Sequence, residues 1–401
     1  MRNRFWAVVV VAASVAAISA PSVAADTDPG PRAASYVVRL GAHAGREDVS
    51  LLLGSLGARA TGSIDALRLL EVRIDAARVL ELRRSPHVEW ARPELTLELD
   101  ARRPNDPLFR YQWPLRTIGA AKGWAVEDGS ASDVTVAVID SGVDASHPDL
   151  VQRTVAGVDF VNVDDDPSDD HGHGTHVAGI IAAQPDNRRG IAGVSWGARI
   201  MPLKACDVTG DCGSFEVAAA IAYAAESGAD VVNISLGGAA ATCPPEFRLA
   251  GALADTTGTL LIASAGNAAQ EGNPVSYPAS CDGYVSVGAT SSQDEWAPFS
   301  VHNEHVDLSA PGIAVPSTIP PGLAGMSDDP STPGYGPASG TSMAAPHVAG
   351  LAALLFAAHP EWAPAEVEER MEETAADLGA TGHDEYFGAG RVDAARALGA
   401  R

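Results

Sequence analysis

The spacing of apolar and polar residues changes character once along the chain, near residue 104. Before that point the periods alternate. Ser35 to Leu40 predicts a strand, Glu47 to Leu56 has helical spacing, Ala66 to Ile74 alternates as a strand, Ala76 to Arg84 is helical, and His87 to Arg92 predicts a last strand. This succession predicts a small α+β module of ferredoxin-like order over residues 35–99. Asp100 to Pro107 is charged, carries two prolines and reads as an exposed linker.

From Asn105 onward, short β-branched runs take over: Val134–Ile139, Ala198–Leu203, Val231–Ile234, Thr259–Ala263 and Val285–Val287. Between them lie alanine-rich helical stretches at His176–Ala183, Glu216–Ser227 and Glu246–Thr256. Strands alternating with helices predict an α/β fold, a doubly wound and mostly parallel sheet flanked by helices. Right-handed crossovers then place function at the C-terminal ends of the strands.

Composition supports a packed protein, with 46% hydrophobic residues in a chain of 401. The first residues read as an export signal. Arg2 and Arg4 precede an apolar stretch from Phe5 to Ile18, and small residues at Ser22, Ala24 and Ala25 suit cleavage near residue 25. The apolar run is short for a bilayer span, and no later stretch is read as one. The formal net charge is −24 and uneven. Residues 1–104 hold 14 Arg against 12 acidic residues, whereas the remainder holds 13 basic against 39 acidic residues, a net of −26. Such a surface repels nucleic acid and anionic lipid, so neither is expected as a partner.

The four cysteines, Cys206, Cys212, Cys243 and Cys281, all belong to the acidic part. An even number in an exported chain predicts two disulfides, with three possible connectivities. Cys206 and Cys212 flank the polar turn Asp207-Val-Thr-Gly-Asp211, where local pairing is sterically easy, which leaves Cys243 with Cys281. A zinc site is the alternative, but no two-residue cysteine spacing supports it.

Three segments carry the chemistry. In Val136-Ala-Val-Ile-Asp140 an apolar run ends in a carboxylate at a strand tip. In His171-Gly-His173-Gly-Thr-His176, glycines lead into an apolar helix and put His173 near its start. In Ser339-Gly-Thr-Ser342-Met-Ala-Ala-Pro346, small residues precede a long apolar helix that begins near Ser342. A serine hydroxyl needs a base to become a nucleophile. Histidine serves near neutral pH when a carboxylate fixes its tautomer. A helix start offers backbone N–H groups to an oxyanion, and the amide of Asn267, after the apolar run ending in Ala263-Ser-Ala-Gly266, is placed to join them.

Two other patterns compete. Gly193-Val-Ser195-Trp-Gly197 matches an esterase elbow, which requires a strand before it and a helix after it, yet a strand is predicted to follow. His171, His173 and His176 resemble a zinc-binding triplet, which leaves Asp140 and Ser342 unexplained. A binding protein that kept the fold without activity is the non-enzymatic alternative.

The three motifs, in the order Asp, His, Ser, resemble those of the subtilases, over about residues 105–395. The resemblance implies a subtilisin-like serine endopeptidase with Asp140, His173 and Ser342 as triad and Asn267 as oxyanion donor. It further implies that Ser235, Leu236, Gly237 and Gly238 pair with substrate backbone, and that Ala263, Ser264, Ala265 and Gly266 form the wall of the specificity pocket. Asp106, Asp149 and Asn187 resemble calcium ligands, and Asp164, Asp166 and Asp169 are a second candidate calcium group. By the same resemblance residues 26–104 are a propeptide that assists folding and inhibits the enzyme until cut within Leu99–Asn105. Residues 105–401 are then the peptidase domain, acting on protein or peptide substrates as a secreted monomer.

Overall fold

The computed structural model describes residues 33–95, 102–321 and 332–400. The export signal expected over residues 1–25 and the Leu99–Ala101 part of the cleavage window lie outside these. The chain divides into two compact units, Met1–Leu97 and Glu98–Arg401.

In the first unit, strands Ala33–Leu40, Arg59–Ile64, Leu69–Asp75 and Val88–Pro93 form an antiparallel sheet. Its spatial order is second, third, first, fourth. Helices Arg46–Ser55 and Val79–Arg84 complete a β-α-β-β-α-β succession. Alternation decides the buried face: Tyr36 and Val38 on one strand and Val72 and Ile74 on the next meet Val49, Leu53 and Leu82. The strand Arg59–Ile64 was not predicted, because it is exposed along nearly its whole length and has no hydrophobic alternation to read. The predicted strand Ala66–Ile74 starts later, at Leu69, after a 3₁₀ turn at Asp65–Leu67 that ends on Arg68 in the left-handed region.

The second unit is built on seven parallel strands. In spatial order they are Leu308–Pro311, Val285–Thr290, Leu260–Ser264, Val231–Ile234, Thr135–Asp140, Arg199–Lys204 and Val158–Asp159. Successive side chains of the central strand go to opposite faces. Val136 and Val138 pack with helices His173–Ala182 and Thr341–Ala358, whereas Ala137 and Ile139 pack with Ser214–Glu226 and Pro245–Thr257. Burial on both faces explains why these strands read as continuous apolar runs. The strand order reverses between Thr135–Asp140 and Val231–Ile234, which opens a crevice at their C-terminal ends.

The helix Thr341–Ala358 is long and apolar enough to cross a membrane by length and composition, contrary to the sequence reading that no such later stretch exists. It is 89% buried inside the protein, so it is a core helix. On the helix Pro364–Thr374, burial first, and then the charges of Asp307 and Glu372, push Glu368 up to about 7. A carboxylate whose folded value is raised favours the fold while protonated, and that contribution fades as pH rises from 4.5 through about 7. Glu368→Gln should therefore raise stability above neutral pH by about 1–2 kcal/mol, discounted for partial exposure, and by nothing in mild acid. Thermal melts of both proteins at the two pH values measure this.

Candidate active site

Asp140 ends its strand with a side chain only 3% exposed. Its Oδ1 accepts from His173 Nδ1 at 2.8 Å and from the Ser141 N–H at 2.8 Å. Because an ionised carboxylate only accepts, His173 carries its proton on Nδ1 and presents the Nε2 lone pair outward. Burial works to lower the His173 pKa, but the charge and hydrogen bond of Asp140, helped by Asp169, overcome it and raise the value above 6.5.

The helix bearing His173 starts hard against the aspartate strand. A Cβ at Gly174 would lie 2.1 Å from the Gly142 carbonyl oxygen and 3.0 Å from Asp140 Cβ, so no side chain fits there. The preceding residue, Gly172, takes φ 103°, open at little cost to glycine alone. Two groups brace this junction, and the sequence reading assigned neither to it. Asp169 accepts from Ser141 Oγ and from the N–H groups of His171, Gly172 and Thr175. Lys204, almost wholly buried, donates to the Ser141 carbonyl at 2.8 Å and pairs with Asp170 at 2.6 Å.

Ser342 is the second residue of the helix Thr341–Ala358, so its N–H has no helical acceptor and is free for a ligand. Pro346, four residues on, lacks the N–H that would take the Ser342 carbonyl. Ser235 Oγ takes it instead at 2.9 Å, and Ser342 Oγ donates to the Ser235 carbonyl at 3.0 Å. Among the described residues the hydroxyl therefore rests on a backbone oxygen, and its donation to His173 is not formed. Asn267 Oδ1 accepts from both the N–H and the hydroxyl of Thr341, at 2.8 and 3.0 Å, and Thr341 Oγ1 accepts from the Gly266 N–H at 3.1 Å. That fixes the amide and leaves Nδ2 to donate elsewhere. Asp140, His173, Ser342 and Asn267 all line one cleft of about 840 Å³.

The model of the Subtilase family, Peptidase S8, matches residues 131–390. A thermophilic serine proteinase of Bacillus sp. (strain AK1) is 36% identical over 400 residues, 97% of this chain and 94% of that protein. The chain belongs to the subtilase family. Thermitase of Thermoactinomyces vulgaris is 38% identical over 297 residues, covering 74% of the subtilase described here and 99% of its own length. Fervidolysin from Fervidobacterium pennivorans, a keratinolytic enzyme related to subtilisin, superposes with a TM-score of 0.67 at 27% identity, over 91% of this chain and 61% of that one. The protein is a subtilisin-like serine protease.

Ser235, Leu236, Gly237 and Gly238 line the cleft of this subtilase, and Gly238–Ala239 pairs antiparallel with Ser276–Tyr277. Of the expected pocket wall, Ser264 and Gly266 reach the cleft. Ala263 and Ala265 are buried, 0% and 1% exposed, and do not line it. Both disulfides form as paired above, Cys206 with Cys212 and Cys243 with Cys281.

The metal candidates divide. Asp106 and Asp149 are buried together, and Asn187 reaches Asp149, though through its amide nitrogen, at 2.7 Å. Asp106 is pushed up to about 6, by burial first and by the Asp149 charge, against hydrogen bonds from the N–H groups of Asp186 and Asn187. The second expected group does not assemble. Asp164 accepts from the Asp166 N–H, Asp166 caps Ser168, and Asp169 braces the histidine helix. Among the described residues no cluster of three or more His, Cys, Asp or Glu forms a metal site. This also bears on the zinc triplet. His176 is buried against the Gly336 carbonyl at 3.1 Å and pushed down to about 3, by burial and then by His173, while His171 is exposed. Ser195 is wholly buried in the loop before strand Arg199–Lys204, away from the cleft lining, which removes the esterase elbow.

Proposed function

We propose that this subtilase is a secreted endopeptidase, made as a self-processed zymogen, with Asp140, His173 and Ser342 as its catalytic triad. The observation that carries the reading is the Asp140–His173 hydrogen bond opening onto the same cleft as Ser342 and Asn267. When substrate enters, the Ser342 hydroxyl leaves the Ser235 carbonyl and gives its proton to His173 Nε2 as Oγ bonds to the scissile carbonyl carbon. The carbonyl oxygen becomes an oxyanion, held by the Ser342 N–H and Asn267 Nδ2. His173 then protonates the amine as the C–N bond breaks. Water attacks the acyl-enzyme in the same way and restores the serine. His347 and His176, both held well below neutrality by burial, do not compete as bases. Hydrolysis of casein tests the reading. It should stop after labelling by a serine-directed phosphonylating reagent and persist with a zinc-selective chelator.

In this reading residues 26–104 are the propeptide, following an export signal at 1–25. Arg102 gives its N–H to Ala121, pairs with the buried Asp128 and lies 4.2 Å over the Trp196 ring. These contacts favour a cut early in the Leu99–Asn105 window, before Arg102, which would end the propeptide short of residue 104 and keep them in the mature enzyme. In the same reading the enzyme works as a monomer whose partners are its substrates and its own propeptide.

Two neighbouring buried carboxylates, Asp106 and Asp149, supply the hard oxygen ligands that suit calcium. Asp106 and Asp149 would hold the ion, with Asn187 turning its amide oxygen inward, and the ion would supply stability and take no part in catalysis. Saturating calcium should raise the Tm of chelator-treated enzyme by about 5 °C, and Asp149→Asn should abolish that rise. A calcium-independent Tm removes the site.

A further inference from the structure

We infer that the cleft of this subtilase selects cationic segments of protein substrates, with Glu271 and Asp211 as the residues that determine this preference. The inference rests on the proteolytic reading above and names the substrate class that reading leaves open.

Among the described residues the acidic and histidine side chains that line the cleft are Asp140, His171, His173, Asp211 and Glu271, and no lysine or arginine lines it. Asp140 is buried and taken by His173. Asp211 and Glu271 are exposed, and among the described residues neither forms an ion pair. Asp211 keeps a single side-chain contact, from Thr209 Oγ1 at 3.3 Å, so its charge is open to a ligand.

The turns that carry both carboxylates are formed before substrate arrives. Asp211 sits in the turn closed by the Cys206–Cys212 disulfide. The Asp207 carboxylate stiffens that turn by accepting from the N–H groups of Thr209 and Asp211. Glu271 ends the 3₁₀ turn Ala269–Glu271, which begins two residues after Asn267, so its charge is tethered close to the oxyanion donor. A turn already formed loses little backbone entropy on binding, which favours its use in recognition. Leu236, Phe247 and Tyr277 line the same cleft and offer apolar surface to the methylene stems of lysine and arginine. The long-range field agrees in sign, since residues 105–401 carry a net charge of −26 and, among the described residues, no lysine or arginine lines the cleft to receive an acidic side chain.

The test uses matched peptides that differ only in carrying Lys, Met or Glu at one position near the cut, assayed with the mature enzyme, E271Q, D211N and the double variant. The readout is the ratio of kcat/KM for the Lys peptide to that for the Met peptide, taken within each enzyme. In low salt the wild-type ratio should reach about three- to fivefold at the position each carboxylate reads, and the Glu peptide should fall below Met. Each single variant should lose the preference at its own position, the double variant should lose both, and high salt should compress the wild-type ratio. A wild-type ratio near unity, or a preference that survives in the double variant, overturns the inference while leaving the protease reading intact. Failure to cleave any peptide, with Ser342 unlabelled by the phosphonylating reagent, overturns both.

Discussion

Ser342→Ala abolishes casein hydrolysis, a loss of about 10⁶-fold in turnover, and leaves the precursor uncut. The hydroxyl is the only nucleophile in the proposed sequence, and the residue's N–H, which survives the change, can stabilise an oxyanion only after attack. The variant also loses the bond from Oγ to the Ser235 carbonyl. It keeps the bond from Ser235 Oγ to the Ser342 carbonyl, so the helix start stays anchored. Stability should therefore remain near that of wild type, and a thermal melt separates lost chemistry from lost fold. Mature-length protein produced by this variant in a protease-free host would sink self-processing.

Asp140→Asn lowers kcat by about 10⁴-fold while leaving the fold in place. An amide in that position can donate to Nδ1, which drives the proton to Nε2, where it blocks acceptance from Ser342. The pH profile gives a second reading of the same contact. Activity requires the neutral imidazole, and the Asp140 charge and hydrogen bond, with Asp169 assisting, hold the His173 pKa above 6.5 despite burial. Wild-type activity should fall, as pH drops, through a midpoint above that value. In Asp140→Asn the residual activity should persist to lower pH. The sign for stability is opposite: the raised value means imidazolium favours the fold, an effect fully present below 6.5 and lost as pH rises through the folded value. An acid limb unmoved by the substitution would contradict the proposed pairing.

The sheet was legible because each central strand is buried on both faces and reads as an unbroken apolar run; Val231–Ile234 matches to the residue. The helix bearing His173 was expected to start at His176, because its first turn is glycine, threonine and histidine packed against the aspartate strand, and tertiary contact decides its start. Motif spacing gave the residues of the cleft but not their hydrogen-bond partners. Asp169 looked like one more member of an acidic run, and its bond from Ser141 depends on a strand tip 28 residues away in sequence. Lys204 did leave a signal. It is one of only two lysines and falls at the end of an apolar strand, where a charge calls for a buried partner. The resting direction of the Ser342 hydroxyl left none, because it depends on a loop 107 residues earlier.

The paired bonds between Ser235 and Ser342 have an engineering consequence. They fasten the rim proposed to hold substrate to the proposed nucleophile, so the two cannot be tuned apart. Redesign at Leu236 or Gly237 aimed at a new cleavage preference will shift the hydroxyl as well. Such variants will show kcat and KM moving together, and libraries built on that rim need screening for rate as well as selectivity.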